Sequence, residues 1–133
     1  MAIETLEGKK VMWVEDDAFL SDVIAKKLAS EKCVLVHTGV GEEAFPLAEK
    51  EMPEIILLDI LLPGLDGFEI LRLLKKSEKT RHIPVILFSN LGQKSDIDRG
   101  KNLGAVKFLV KATVTLDEIV GEIKNTLPDA VSK

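Results

Sequence analysis

The stretch IILLDILLPGLDG, residues 55–67, decides the fold. Four aliphatic residues run without a break to a single carboxylate, Asp59, and the turn residues Pro63 and Gly64 follow shortly after it. An aliphatic run of this length that ends at turn residues is typical of a strand covered on both faces, as in a parallel sheet. The stretch therefore predicts a buried strand that carries an acid at its carboxyl end.

Similar apolar runs recur along the chain, and amphipathic segments separate them. The other runs cover residues 11–14, 33–36, 84–90 and 106–110. Apolar residues at helical spacing cover 20–28, 42–51, 68–76, 95–103 and 116–127. We expect Pro46 in the first turn of the second helix, and Gly100 makes the fourth helix the weakest. Strand and helix alternate five times, which predicts an α/β fold: a doubly wound, five-stranded parallel sheet between five helices.

Length and composition favour one domain, 1–133, with its core at about 8–127. The net charge of −4 argues against a nucleic-acid surface, which is usually basic. Cys33 is the single cysteine, so no internal disulfide can form. The chain begins with no signal peptide, and no apolar run approaches the ~18 residues of a membrane span. We therefore expect a cytoplasmic location.

Polar side chains stand where the predicted strands end. Glu15 and Asp16 follow the first strand, Asp59 the third, Ser89 the fourth and Lys111 the fifth. Ligands bind at the carboxyl ends of the strands in open parallel sheets, so these groups are expected to converge. Gathered carboxylates repel one another unless a cation neutralises them, and oxygen donors favour Mg²⁺ (or Mn²⁺). The absence of a His and Cys cluster argues against zinc.

These residue types have separable roles in phosphoryl chemistry. Asp59 is the best-placed nucleophile, since a carboxylate can attack phosphorus and form an aspartyl phosphate. Asp16, with Glu15, is expected to hold the metal. Lys111 offers a point charge, and Ser89 a hydroxyl donor, to the phosphoryl oxygens.

Four segments together resemble the receiver domain of two-component response regulators, of the stand-alone type. They are VMWVEDD at 11–17, LLDILLPGLDGFEIL at 57–71, PVILFSN at 84–90 and LGAVKFLVKA at 103–112. The resemblance covers roughly residues 8–127 and implies a flavodoxin-like sheet of order 2-1-3-4-5. It implies a histidine kinase or phosphotransfer protein as the donor of a phosphoryl group to Asp59. It also implies a downstream protein target, no direct nucleic-acid or membrane partner, and a monomer or weak dimer.

The resemblance assigns further residues. The backbone carbonyl of Leu61 matches the third protein metal ligand, beside Glu15, Asp16 and Asp59. Ser89 and Phe108 match the switch pair, through which phosphorylation reshapes the face formed by the fourth helix, fifth strand and fifth helix (α4-β5-α5). Such a domain catalyses only its own phosphorylation and dephosphorylation, so we do not class it as an enzyme. Apolar Leu61 and Leu91 occupy positions that tune hydrolysis, which predicts slow dephosphorylation.

The sequence departs from this family after Lys111. Most relatives have a proline there, joined through a cis peptide bond, whereas this chain has Ala112. Because a cis bond without proline costs about 2.5–4 kcal/mol, we expect either a trans bond with a rearranged loop or a strained cis bond. Val106 and Lys107 replace the acidic residues of relatives that dimerise through the fourth-helix face, which disfavours that charge-paired dimer.

Three other functions fit less well. A phosphohydrolase of the haloacid dehalogenase type needs a second acid two residues after the nucleophile, where Leu61 stands. A flavin carrier needs a phosphate loop after the first strand, where the chain is acidic. A degenerate receiver, acting as a phosphorylation-independent protein-binding module, is the alternative that stays open.

Several residues are expected to be structural only. Asp17 is interpreted as the N-cap of the first helix, and Ser95 and Asp117 as caps of later helices. Phe19 is assigned to the core or its edge. His37 ends the second strand off the centre of the site and is given no chemical role.

Overall fold

Each predicted apolar run forms a strand in the computed structural model, which describes residues 2–127. The strands are β1 Lys10–Val14, β2 Val34–Thr38, β3 Ile55–Leu58, β4 Val85–Ser89 and β5 Lys107–Val110. They pair in parallel in the order β2-β1-β3-β4-β5, which confirms the predicted α/β fold. Met1 and residues 128–133, which the predicted domain 1–133 includes, lie outside the described residues.

Five helices connect and cover the described strands. They are α1 Ala18–Ser30, α2 Gly41–Glu51, α3 Gly67–Lys76, α4 Lys94–Asn102 and α5 Leu116–Thr126. None of these helices is both long and apolar enough to cross a bilayer.

Alternating strand residues build a separate core on each face of the sheet. On β1, Met12 and Val14 pack in one cluster with residues of α2 and α3, such as Ala48. Val11 and Trp13 pack in the other with residues of α1 and α5. A buried aliphatic side chain contributes about 1.5–3 kcal/mol, so burial on both faces explains the unbroken aliphatic runs.

Two of the three expected helix caps are wrong. Asp17 does cap α1, because its side chain accepts a hydrogen bond from the Leu20 N–H. Ser95, however, lies inside α4, which begins after Gln93. Asp117 lies inside α5 and forms an ion pair with Lys27 of α1, at 2.7 Å. The cap of α5 is instead Thr115, which forms a capping box with Glu118.

Two further expectations need correction. Pro46 is the sixth residue of α2, which begins at Gly41, so it lies beyond the first turn and leaves the Glu42 carbonyl without its helical donor. Phe19 is not in the core: it is 81% exposed on α1. Its place in the first turn of α1 turns its side chain to the surface, whereas Ile24 and Leu28 face the sheet.

The loop after β5 contains the bond that sequence left open between cis and trans. No cis peptide bond occurs among residues 2–127, so the Lys111–Ala112 bond is trans. The chain turns at once, because the Thr113 and Val114 N–H groups both donate to the Val110 carbonyl at 3.0 and 3.2 Å. Lys111 keeps its place at the strand end, since its N–H donates to the Ser89 carbonyl at 3.0 Å.

Candidate functional site

Three carboxylates meet at the carboxyl edge of the sheet. Glu15 follows β1 and Asp59 follows β3, and these strands are neighbours. Three carboxylate oxygens, one from each of Glu15, Asp16 and Asp59, lie within 4.8 Å of one another. Glu15 and Asp59 are only 2% and 3% exposed, whereas Asp16 is open to solvent. The sheet thus brings together the acids that the strand ends predicted.

The chain on both sides fixes the Asp59 carboxylate. Its Oδ1 accepts hydrogen bonds from the Ile60 and Leu61 N–H groups at 2.7 and 3.3 Å. Helix α3 starts against the same residue: a side chain at Gly67 would overlap the Asp59 carbonyl oxygen. The buried strand β3 and the close contact with α3 therefore fix the position of the Asp59 carboxylate.

The loop from Glu15 to Asp17 is ordered by its own hydrogen bonds. Glu15 Oε2 accepts from the Asp17 N–H at 3.0 Å, and Asp17 Oδ1 accepts from the Leu20 N–H at 3.0 Å. Asp17 is therefore occupied in capping α1 and lies outside the group of three carboxylates. This leaves Glu15 and Asp16 as the acid pair.

Lys111 supplies the positive charge beside the carboxylates. Its Nζ donates to Asp59 Oδ2 at 3.0 Å and forms an ion pair with Glu15 Oε1. Burial lowers the pKa of Lys111, but the hydrogen bonds to Glu15 and Asp59 outweigh it, so the pKa is raised and the side chain stays charged. Burial raises the pKa of the Glu15 carboxyl, and the hydrogen bonds from Lys111 and Asp17 only partly offset this.

The donor set suits a hard divalent cation. Opposite ligands of an octahedral Mg²⁺ ion are separated by about 4.2 Å, so carboxylate oxygens within 4.8 Å of one another need little adjustment to share one ion. One Lys does not balance three carboxylates, two of which are buried. The residues present therefore fit Mg²⁺.

The two predicted switch residues lie on neighbouring strands. Ser89 is fully buried at the end of β4, and its Oγ accepts from the Leu91 N–H at 3.3 Å. Phe108 is half-buried on β5, in register with Leu87 of β4. Its ring lines a groove of about 350 Å³, whose other lining residues are Ile97, Lys101, Ala105, Val106 and Lys107.

The sequence predicted that His37 lies off the centre of the site. In the structure, however, its side chain contacts the backbone of the acid pair. His37 Nε2 lies 3.0 Å from the backbone carbonyl oxygen of Glu15. No local sequence pattern predicts this contact, because it depends on the register between β1 and β2, in which Trp13 pairs with His37.

Comparison with known proteins agrees with this geometry. The family model of the response regulator receiver domain matches residues 11–124. Response regulator PleD of Caulobacter vibrioides is 36% identical over 102 residues, which are 77% of this chain and 22% of PleD. The polar-differentiation response regulator DivK of Brucella ovis is 33% identical over 122 residues, 92% of this chain and 98% of DivK. This chain thus spans about a fifth of PleD but nearly all of DivK.

A solved structure supports the same comparison. The receiver domain of the sensor histidine kinase PA1611 from Pseudomonas aeruginosa has a TM-score of 0.81 and 25% identity. The match covers 89% of this chain and 96% of that one. That structure holds a magnesium ion in its active site cleft.

Proposed function

Because this chain belongs to the family of response regulator receiver domains, we propose that it accepts a phosphoryl group on Asp59 from a histidine kinase or phosphotransfer protein. The reaction requires Mg²⁺ or Mn²⁺. One observation carries the proposal: the carboxylates of Glu15, Asp16 and Asp59 converge within 4.8 Å beside the ammonium of Lys111.

The chemistry is transfer between two protein side chains. A carboxylate oxygen of Asp59 attacks the phosphorus of a phosphohistidine, the new O–P bond forms as the P–N bond breaks, and the leaving ring nitrogen keeps the electron pair and takes up a proton. Glu15, Asp16, Asp59 and the Leu61 carbonyl would hold the metal, whose positive charge offsets the charge of the transferring group. The Ile60 and Leu61 amides keep the Asp59 carboxylate oriented.

Two further side chains contact the oxygens of the transferred phosphoryl group. The Lys111 ammonium, 3.0 Å from Asp59 Oδ2, is within reach of an oxygen on a group attached there. Ser89, at the end of β4, donates a hydrogen bond from its hydroxyl group to a second phosphoryl oxygen. Ser89 then draws Phe108 with it, and the groove between α4 and β5 changes shape for a downstream protein that binds the α4-β5-α5 face.

The domain acts on itself alone. It catalyses its own phosphorylation and, slowly, its own dephosphorylation. Leu61 is 58% exposed and Leu91 is half-buried, and neither side chain can orient a water molecule toward the phosphorus. The phosphorylated form is therefore expected to persist.

Acetyl phosphate with Mg²⁺ tests the proposal directly. Intact-mass measurement is expected to show the addition of one phosphoryl group, lost in Asp59→Asn or when a chelator removes the metal. Asp66→Asn, at the nearby cap of α3, is the control that keeps the addition. After acetyl phosphate is removed, the added mass is expected to decay over minutes or longer.

Two results would contradict this function. No gain of mass in the wild-type chain would favour the phosphorylation-independent binding module, and a gain that survives Asp59→Asn would place the chemistry elsewhere. Decay within seconds would refute the slow dephosphorylation.

A further inference from the structure

The side chain of His37 contacts the backbone of the acid pair. We propose that His37 is a positioning residue: it holds the Glu15 peptide so that the Glu15 and Asp16 carboxylates face the metal before it binds. This inference rests on the proposed function, because it assigns His37 to the same metal site.

Strand register brings His37 to this place. Trp13 of β1 and His37 of β2 are direct partners in the parallel ladder. Their rings stack with centroids 4.9 Å apart and an angle of 27° between the planes. Trp13 is buried, so it gives the His37 ring a fixed surface to rest on, although His37 itself is exposed on its outer side.

We assign the ring proton of His37 to Nε2. The Glu15 carbonyl, 3.0 Å from this nitrogen, can only accept a hydrogen bond, and this tautomer supplies the donor. Ser21 Oγ of α1 lies 2.9 Å from the same Nε2 and accepts from the Trp13 Nε1–H at 2.9 Å. The contact thus joins β1, β2 and α1 around the loop that starts at Glu15.

The main chain completes the hold on Glu15. Strand β1 ends at Val14, yet the Glu15 N–H still donates to the Thr38 carbonyl at 3.2 Å. Both polar backbone groups of Glu15 are therefore bonded to residues of β2. The His37 side chain thus adds a contact between β2 and the residue that follows the end of β1.

Gly39 borders the same peptide from another direction. A Cβ at residue 39 would lie 3.2 Å from the Glu15 carbonyl oxygen, tighter than most real Cβ contacts, and 3.4 Å from Asp16 Cα, in van der Waals contact. The backbone of the acid pair thus has contacts on both sides, from His37 and from residue 39. Because neighbouring carboxylates repel one another, these backbone contacts keep Glu15 and Asp16 in place while no metal is bound.

Two variants of His37 separate the hydrogen bond from the stacked ring. His37→Phe keeps a ring against Trp13 and loses the donor, whereas His37→Gln loses the ring and keeps an N–H at about the same reach. Mg²⁺ titration followed by amide NMR shifts of residues 15–17 is expected to show about fivefold weaker binding in His37→Phe, the worth of one hydrogen bond. His37→Gln is expected to bind as the wild type does, and His82→Phe, exposed before β4, is the matched control.

A second variant and a rate measurement keep the inference open to refutation. Gly39→Ala, which crowds the Glu15 carbonyl, is also expected to weaken Mg²⁺ binding. The Mg²⁺ concentration that gives half the maximal rate of reaction with acetyl phosphate is expected to rise about fivefold in His37→Phe, in step with the loss of metal affinity. Wild-type affinity in both His37→Phe and Gly39→Ala, or equal losses in His37→Phe and His37→Gln, would overturn the role of His37. A wild-type chain that binds no Mg²⁺ would instead overturn the proposed function.

Discussion

At the scale of the residue, the burial of the Glu15 carboxylate carries an electrostatic cost. It is 2% exposed, and burial raises the pKa of its carboxyl in spite of the ion pair with Lys111. The charged Glu15 carboxylate therefore lowers the free energy of unfolding of the metal-free protein, and a bound cation would restore it. We expect Glu15 to cost stability without metal and to contribute to metal affinity.

Replacing Glu15 tests this exchange. Folding raises the pKa of the Glu15 carboxyl, so the folded state holds this proton more tightly than the unfolded state does. The protein therefore loses stability as the pH rises above 4.5, the ordinary pKa of the group. At pH 7 without metal, Glu15→Gln is therefore expected to melt above the wild type, and the difference should vanish below that ordinary pKa. Thermal melts from pH 4 to pH 8 measure it.

Magnesium reverses the expected order of stability. A ligand that binds only the folded state stabilises it more as its concentration exceeds the Kd, so excess Mg²⁺ should raise the melting temperature of the wild type and leave Glu15→Gln nearly unchanged. Glu4→Gln, at an exposed residue, is the control. A lower melting temperature of metal-free Glu15→Gln at pH 7 would contradict this account of the residue.

Single residues differed in how far sequence could place them. Asp17 was predictable as a cap, because an acid directly before an amphipathic helix has a local partner in that helix. His37 was not, because its contact with Glu15 depends on the register between two strands. Phe19 was assigned wrongly to the core: its hydrophobicity is a weak guide in the first turn of a helix.

At the scale of the element, the strands were the most predictable part of the fold. Residues 55–58 are buried on both faces of the sheet, so the sequence has to be aliphatic without alternation. Helix α2 was less predictable at its start. It begins at Gly41 with no side-chain cap and tolerates Pro46, because Ala44 and Ala48 pack tightly against the core. Tertiary packing there outweighs the local preference of the chain.

The cap of α5 and a residue inside α4 give a matched pair of substitutions. Thr115→Ala removes the capping box of α5 and is expected to lower the free energy of unfolding by about 1 kcal/mol. Ser95→Ala, inside exposed α4, is expected to change it by less than about 0.5 kcal/mol. Urea unfolding measures both. Equal effects of the two substitutions would show that the cap of α5 is not the one described.

At the scale of the whole molecule, the parallel sheet explains why distant residues share one site. Every described strand runs the same way, so the loops after β1, β3, β4 and β5 reach the same edge with Glu15, Asp59, Ser89 and Lys111. This convergence was predictable from the order of elements and the residues at their ends. The ion pairs of Lys111 with Glu15 and Asp59 depend on side-chain reach, which no sequence pattern specifies.

The sheet also connects the carboxylate site to the groove between α4 and β5. Lys111 continues the strand that carries Phe108, and Ser89 ends the strand that pairs with it. Lys111, which forms ion pairs with Glu15 and Asp59, thus lies three residues after Phe108, whose side chain lines the groove beside α4. The signalling proposed above depends on its first step, formation of an acyl phosphate on Asp59.

A crystal structure of the chain with Mg²⁺ and beryllium trifluoride, a mimic of the phosphoryl group, tests that step most directly. We expect the beryllium bonded to a carboxylate oxygen of Asp59, the metal in contact with the acid pair and the Leu61 carbonyl, and Lys111 Nζ beside a fluorine atom. A structure in which Asp59 carries no adduct, or in which the metal lies away from Glu15 and Asp16, would contradict the account.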